Sequence, residues 1–336
     1  MSSAPSADEI ARDAKWLAQA LDPAGGRVRL VAMDRESYRA ASFLDDRMMQ
    51  QTIDAQIVAW PEVEAAVAGS LRTDARWIFH IGHVGSTLIS RLLGELEGVL
   101  AVREPRLLRD LALVPPEVRE QYIGSATKLM SRTFGVDEIA CVKVTSFVSE
   151  IAPLLVPPGE RALFLYAKPR TYIAGILAGE NSVKELAAYE AHRTQRLAGR
   201  KIVIPPARHD ADRSALGWAA EMTTLEAAAD SMADRHIAWE DFDAMLADMP
   251  SALTRASSFF EFAAAPDQLE ALAKGPLMSR YSKATEYQYS PALRNEVIAD
   301  VERRHGPEID AALAMLESAA ERSPLLARAL ARAREG

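Results

Sequence analysis

The spacing of hydrophobic positions changes sharply near residue 75 of this chain. "WIFHI" at 77–81 is a near-continuous apolar run, followed by a small-residue turn and then by Leu88, Ile89, Leu92, Leu93 and Leu96 at helical spacing. The run predicts a strand. The spaced leucines predict an amphipathic helix that begins near Gly85 to Thr87 and lays one apolar stripe on a sheet. The alternation continues with "VLAVRE", "EIACVKVTS", "RALFLYA" and "HIAWED", with helical material between most of them. Strands apolar on both faces and alternating with helices predict a parallel sheet covered on both sides, that is, an α/β fold with a three-layer core.

The flanks read differently. Residues 1 to about 25 are rich in Ala, Ser and Asp, end in "DPAGG", and predict a loosely docked helical arm closed by a turn. From "RVRLVAM" to "LRTDA" the pattern gives a short strand and helical material without a chemical cluster. Residues 307 to 335 read as helical, with Pro324 opening a new turn. The expected organisation is an N-terminal accessory segment at 1–74, an α/β core at 75–306 and C-terminal helices at 307–336.

Composition narrows the function. With 336 residues, 49% hydrophobic and 26% charged, the chain can bury a sizeable core. A net charge of −8 argues against nucleic acid or an anionic membrane as the main partner, so any anion site must be compact. Cys141 is the lone cysteine and excludes an internal disulfide. The N-terminal residues lack a secretory apolar region, and no uncharged apolar run approaches the ~18 residues of a membrane span. The expectation is a cytoplasmic protein whose oligomeric state stays open, a homodimer among the options.

The turn at 82–87 carries the chemistry. No Lys, Arg, Asp or Glu lies between Arg76 and Arg91. Free N–H groups at a helix N-terminus, the helix dipole and the Ser86 and Thr87 hydroxyls make an anion site, and Gly85 allows close approach to the backbone. The alternative is a plain tight turn with a capped helix. The lysine of a nucleotide-triphosphatase loop, G-x-x-x-x-G-K-[ST], is absent.

"HVGSTLISRLL" instead resembles the 5′-phosphosulfate loop of the sulfotransferase family, in its bacterial branch, whose members use 3′-phosphoadenosine 5′-phosphosulfate as donor. On that resemblance Gly85, Ser86 and Thr87 cradle the phosphosulfate, and His83 stands where the family usually has Arg or Lys. "LEGVLAVREPRLLRDLA" is similar to the segment that supplies a glutamate base in the tyrosylprotein branch, which implies Glu104 as general base. "ACVKVTS" places Lys143 near a strand end, where it would neutralise the donor's bridging oxygen. "WEDF" at 239–242 resembles the family's late strand-and-helix unit, with Glu240 and Asp241 as structural caps. Catalytic roles thus fall on Glu104, Lys143 and His83.

In the 3′-phosphate region the family's R-x-P and following serine are replaced. With Pro169 as anchor, Ala167 and Gly175 take those positions. Lys168, Arg170 and Ser182 lie nearby, and "MSRYSKATEYQYS" adds Arg280, Ser282 and Lys283; Arg170 with Lys283 is the preferred pair for the phosphate. The resemblance implies sulfuryl transfer to a hydroxyl or amine of a small-molecule acceptor, without a metal. A Mg-dependent phosphotransferase or nucleotidase, or a non-catalytic nucleotide-binding protein, remains the alternative on the same scaffold.

Overall fold

A computed structural model describes residues 5–50, 53–280 and 290–335. The N-terminal part contains helix α1 (Ala7–Arg12), strands β1 (Trp16–Asp22) and β2 (Arg27–Ala32), helix α2 (Arg35–Ala40), strand β3 (Ala55–Ala59) and helix α3 (Trp60–Val67). The middle part runs β4 (Arg76–His80), α4 (Ser86–Leu93), β5 (Val99–Arg103), α5 (Arg106–Leu113), α6 (Pro116–Met130), β6 (Ile139–Lys143), α7 (Ala152–Leu155) and β7 (Arg161–Tyr166). Then come α8 (Pro169–Leu177), α9 (Glu180–Gly199), α10 (Asp210–Asp230), β8 (His236–Asp241), α11 (Phe242–Ala247), α12 (Met249–Phe260) and α13 (Pro266–Ala273), and finally α14 (Pro291–Ala320) and α15 (Pro324–Glu335).

Each of the five apolar runs forms a strand of one all-parallel sheet, in the order β5-β6-β4-β7-β8. Every residue of β4 and β5 is buried, as is nearly all of β6 and β7, because helices cover the sheet. The chain leaves β4 for β5 and β6 on one side and later for β7 and β8 on the other. That reversal of winding beside β4 is where open α/β sheets form a ligand crevice, outside the carboxyl ends of their strands.

The N-terminal arm expected from sequence is instead a packed sheet. β1 pairs antiparallel with β2, and β2 with β3. "WLAQALD" reads as helical because Ala and Leu are good helix formers, yet pairing with β2 buries its first six residues and overrides that preference. The buried Gln19 amide donates to the Leu44 carbonyl at 3.2 Å, and its oxygen accepts from Arg29 at 2.8 Å. This layer also closes the edge of β5: Leu44 N–H donates to the Arg103 carbonyl at 2.7 Å, and the Arg103 guanidinium donates to the Ala41 carbonyl at 2.9 Å. An open strand edge would otherwise be left there. α14 runs unbroken from 291 to 320 with Pro307 inside it. No helix of the described residues is long and apolar enough to cross a membrane.

Candidate functional site

The β4–α4 turn is built by left-handed backbone at three positions, Gly82 (φ 81°), His83 (φ 56°) and Gly85 (φ 63°). His80 ends β4 and ties the turn down. Gly82 N–H donates to His80 Nδ1 at 2.9 Å, which places the ring proton on Nε2, and Nε2 donates to the Val144 carbonyl at 2.8 Å. Ile89 N–H to the Gly85 carbonyl, at 3.1 Å, is a first-turn bond of α4. The N–H groups of the preceding helical residues have no acceptor within the helix. A turn of this shape, running into a helix N-terminus, gathers backbone donors toward one point.

Gly85 has a reason beyond that. A Cβ at this position would overlap the Phe242 ring, with Cδ2 at 2.8 Å, and crowd Met245 Cε at 3.1 Å. The turn is therefore clamped by α11, which Asp241 caps through the Ala244 N–H at 2.9 Å. The capping role read from "WEDF" holds for Asp241, while Glu240 pairs with Arg255.

Beside the turn lies a buried ionic group. The Lys143 side chain is 1% exposed and the Glu104 side chain 10%, and the two form an ion pair. Lys143 Nζ also donates to Thr87 Oγ1 at 3.1 Å, in the first turn of α4. The sheet register sets this up, since Arg103 of β5 lies opposite Lys143 of β6 and Glu104 N–H donates to the Lys143 carbonyl at 2.7 Å. Glu104 has φ 53°, left-handed backbone in a bulky residue. Such conformations cost roughly 1–3 kcal/mol and cluster at functional sites. Of the four positive-φ residues other than glycine among the described residues, His83 and Glu104 line the cavity, while Glu261 is a helix C-cap and Lys201 follows the end of α9.

These groups open onto a cavity of about 640 Å³ along the carboxyl edge of the sheet. His83, Gly85, Ser86, Thr87, Glu104 and Lys143 all line it, as do Ala167 and Gly175. Residues that the sequence did not single out complete it. From the N-terminal part, Phe43 and Arg47 close the Glu104 end: the Arg47 guanidinium lies 3.3 Å from the Phe43 ring centroid, 2.6 Å from Asp45 and 3.4 Å from Glu104. α9 contributes Tyr189 and Arg193, and α14 contributes Arg294 and Ile298. Arg280, a cation that the sequence did name, lines the cavity too.

The expected 3′ cations are placed differently. Arg170 forms an ion pair with Asp310 of α14 and is not among the cavity residues. Lys283 and Ser282 lie outside the described residues. Arg294 reaches the β7–β8 end from the facing helix, 2.8 Å from Asp243 and 4.6 Å from the Phe242 ring centroid. A Cβ on Gly175 would meet Ile298 Cδ1 at 3.7 Å, so α14 packs over the position where a longer residue would project. Tyr122, Met130 and Trp218 are core, whereas Tyr172 is both buried and cavity-lining.

Among the described residues no group of three or more His, Cys, Asp or Glu side chains is arranged to hold a metal ion. No protein-family model matches the chain, and no curated protein matches it. Among solved structures, it is similar to a sulfotransferase domain from the curacin biosynthetic pathway, at 10% identity and a TM-score of 0.40, over 69% of this chain and 97% of that one.

Proposed function

We propose that this chain is a cytoplasmic sulfotransferase that moves a sulfuryl group from 3′-phosphoadenosine 5′-phosphosulfate to a hydroxyl or amine of a small acceptor. The observation that carries the reading is the buried Glu104–Lys143 pair, held against Thr87 at the first turn of α4. One anion cradle, one cation and one carboxylate within a single cavity are the parts that an in-line group transfer requires.

The donor supplies the activated sulfuryl group and the nucleotide leaving group. Backbone N–H groups around Gly85, Ser86 and Thr87 would hold its 5′-phosphosulfate, and Lys143, already hydrogen-bonded at Thr87, would balance charge on the oxygen that leaves sulfur. Glu104 would take the proton from the attacking hydroxyl or amine. His83 lines the same cavity and would donate to a sulfuryl oxygen through a ring N–H. For the 3′-phosphate the reading moves from Arg170 to Arg294 and Arg280, the arginines of the late part of the chain that line the cavity.

Thermal stabilisation by adenosine 3′,5′-bisphosphate, AMP, ADP and ATP, each with and without Mg²⁺, tests the proposal. At one hundred times its dissociation constant the bisphosphate stabilises by about 2.7 kcal/mol, and it is expected to do so at lower concentration than AMP without needing Mg²⁺. A preference for ATP with Mg²⁺ would replace the reading by phosphoryl transfer. Tight bisphosphate binding without turnover on any acceptor would leave a nucleotide-binding protein.

A further inference from the structure

The buried arginines among the described residues have acceptors, with one exception. Arg76 donates to the Phe260 carbonyl at 2.9 Å and lies against Glu160. Arg91 donates to the Arg39 and Ala40 carbonyls, Arg103 to the Ala41 carbonyl, and Arg132 to the Ile10 and Trp16 carbonyls. Arg193 is 9% exposed, and its guanidinium makes no hydrogen bond or ion pair among the described residues; Nη1 is fully buried without a partner. Its neighbours are the Tyr189 ring, 5.8 Å from the guanidinium carbon, and the bare face of Gly217, where an added Cβ would lie 3.6 Å from that carbon.

Nearby carboxylates do not rescue it: Glu185, two turns earlier on α9, lines the same cavity without an ion pair to Arg193. Glu221, one turn beyond Gly217 on α10, is taken by Arg196, which bonds both of its oxygens at 2.6 and 3.2 Å. A guanidinium with five donors and no acceptor is costly to bury, and a carboxylate or phosphate removes that cost with paired charge-assisted hydrogen bonds. Arg193 lines the same cavity as Glu104 and Lys143.

Its position says which end of the cavity it serves. Tyr172, which lines the same cavity, donates its hydroxyl to the Ile81 carbonyl at 3.4 Å, at the start of the turn. The adjacent His192 ring packs on Phe147 at 6.4 Å, just beyond β6. Arg193 thus follows directly on a residue of α9 that reaches Phe147 beyond β6, and it lines one cavity with Lys143. Phe242 packs against Gly85 and Arg294 lies over its ring, a different set of neighbours from Tyr189 and Gly217 beside Arg193. We propose that Arg193 is an anion subsite for the acceptor, which carries a carboxylate or phosphate monoester as well as the group that is modified. The identity of the acceptor as a sulfuryl acceptor rests on the proposed function; the anion subsite itself does not.

The test is a titration followed by NMR chemical shifts, with the protein saturated with adenosine 3′,5′-bisphosphate and again without nucleotide. The probes are benzoate and phenyl phosphate, set against the uncharged benzamide and benzyl alcohol. Wild type is expected to prefer an anion over its neutral counterpart by roughly tenfold or more, the worth of a charge-assisted pair. Arg193→Gln should abolish that preference, Arg193→Lys should retain part of it, and neither should change bisphosphate affinity. Whichever anion wins names the acceptor's charged group. Equal binding of anions and neutral probes, or no binding of either, overturns the proposal and leaves Arg193 to water. Loss of bisphosphate affinity in Arg193→Gln also overturns it, by assigning the residue to the donor. If wild type does not bind the bisphosphate at all, the sulfotransferase reading fails, while the nucleotide-free titration still decides the subsite.

Discussion

Glu104 and Lys143 meet twice: the Glu104 N–H donates to the Lys143 carbonyl at 2.7 Å, and their side chains form a buried ion pair. The backbone bond fixes where Glu104 leaves its strand, and the ion pair fixes where its carboxylate points. Two cations share that carboxylate, with Arg47 at 3.4 Å on the solvent side.

Removing both partners should therefore cost less than the sum of removing each alone. Lys143→Met should destabilise the protein by about 3 kcal/mol, because it leaves the Glu104 carboxylate only the more distant Arg47 at 3.4 Å. The double variant Lys143→Met, Glu104→Gln should be less destabilised than the sum of the two single changes, with a coupling of about 1–3 kcal/mol in urea unfolding. Strict additivity would mean that the pair does not interact in solution.

Glu104→Gln alone should keep the shape of the cavity and its affinity for adenosine 3′,5′-bisphosphate. Turnover should fall by roughly 10²–10⁴-fold, the usual contribution of a positioned base. Unchanged turnover with weakened binding would make Glu104 a structural residue.

Gly85 is held by packing as well as by its backbone conformation. Gly85→Ala should lower the thermal midpoint, since its Cβ would overlap Phe242 and its φ of 63° disfavours any side chain. Adding Phe242→Ala should restore part of the loss, as it removes the overlap and leaves the φ strain. No recovery would show that the strain alone governs the site. Gly82 is the cleaner probe of the turn: a Cβ there meets only Ser146 Oγ, at 3.9 Å, so Gly82→Ala should disturb φ without a clash.

The late arginines that line the cavity can be ranked by selectivity. Arg294→Ala and Arg280→Ala should each reduce the preference for adenosine 3′,5′-bisphosphate over AMP by roughly tenfold, the worth of one charged hydrogen bond. Arg170→Ala should leave it unchanged, because that side chain pairs with Asp310 away from the cavity. Calorimetric titration of both nucleotides decides between them. An effect of Arg170→Ala equal to that of Arg294→Ala would return Arg170 to the site.

Asp241 gives a pH signature. Burial pushes its carboxyl above the ordinary 3.8, and Oδ2 has no hydrogen-bond partner. The folded state thus holds a proton that the unfolded state has already released, so this group's contribution to stability is full below 3.8 and is lost as pH rises through the raised folded value. Asp241→Asn can keep the cap on the Ala244 N–H and should flatten stability across that window. Chemical unfolding between pH 4 and 7 measures it; an unchanged slope would assign the effect to other carboxyls.

The sequence by itself determined the five strands, the α4 stripe, the turn at 82–87 and the strand-end positions of Glu104 and Lys143. These are local: apolar runs, helical spacing and small residues dictate backbone state within a few positions of themselves. It did not determine that "WLAQALD" is a strand, because its helical preference was decided by pairing with β2. Nor did it bring Phe43 and Arg47 to Glu104, or Arg193 and Arg294 to the cavity. In the sequence those arginines look like ordinary members of polar helices. Only the order β5-β6-β4-β7-β8, which sets Glu104 beside Lys143, and the docking of α9 and α14 across the sheet's carboxyl edge turned them toward one cavity. Contacts between residues a hundred positions apart leave no trace in local periodicity; burying the apolar faces of the elements is what selects them.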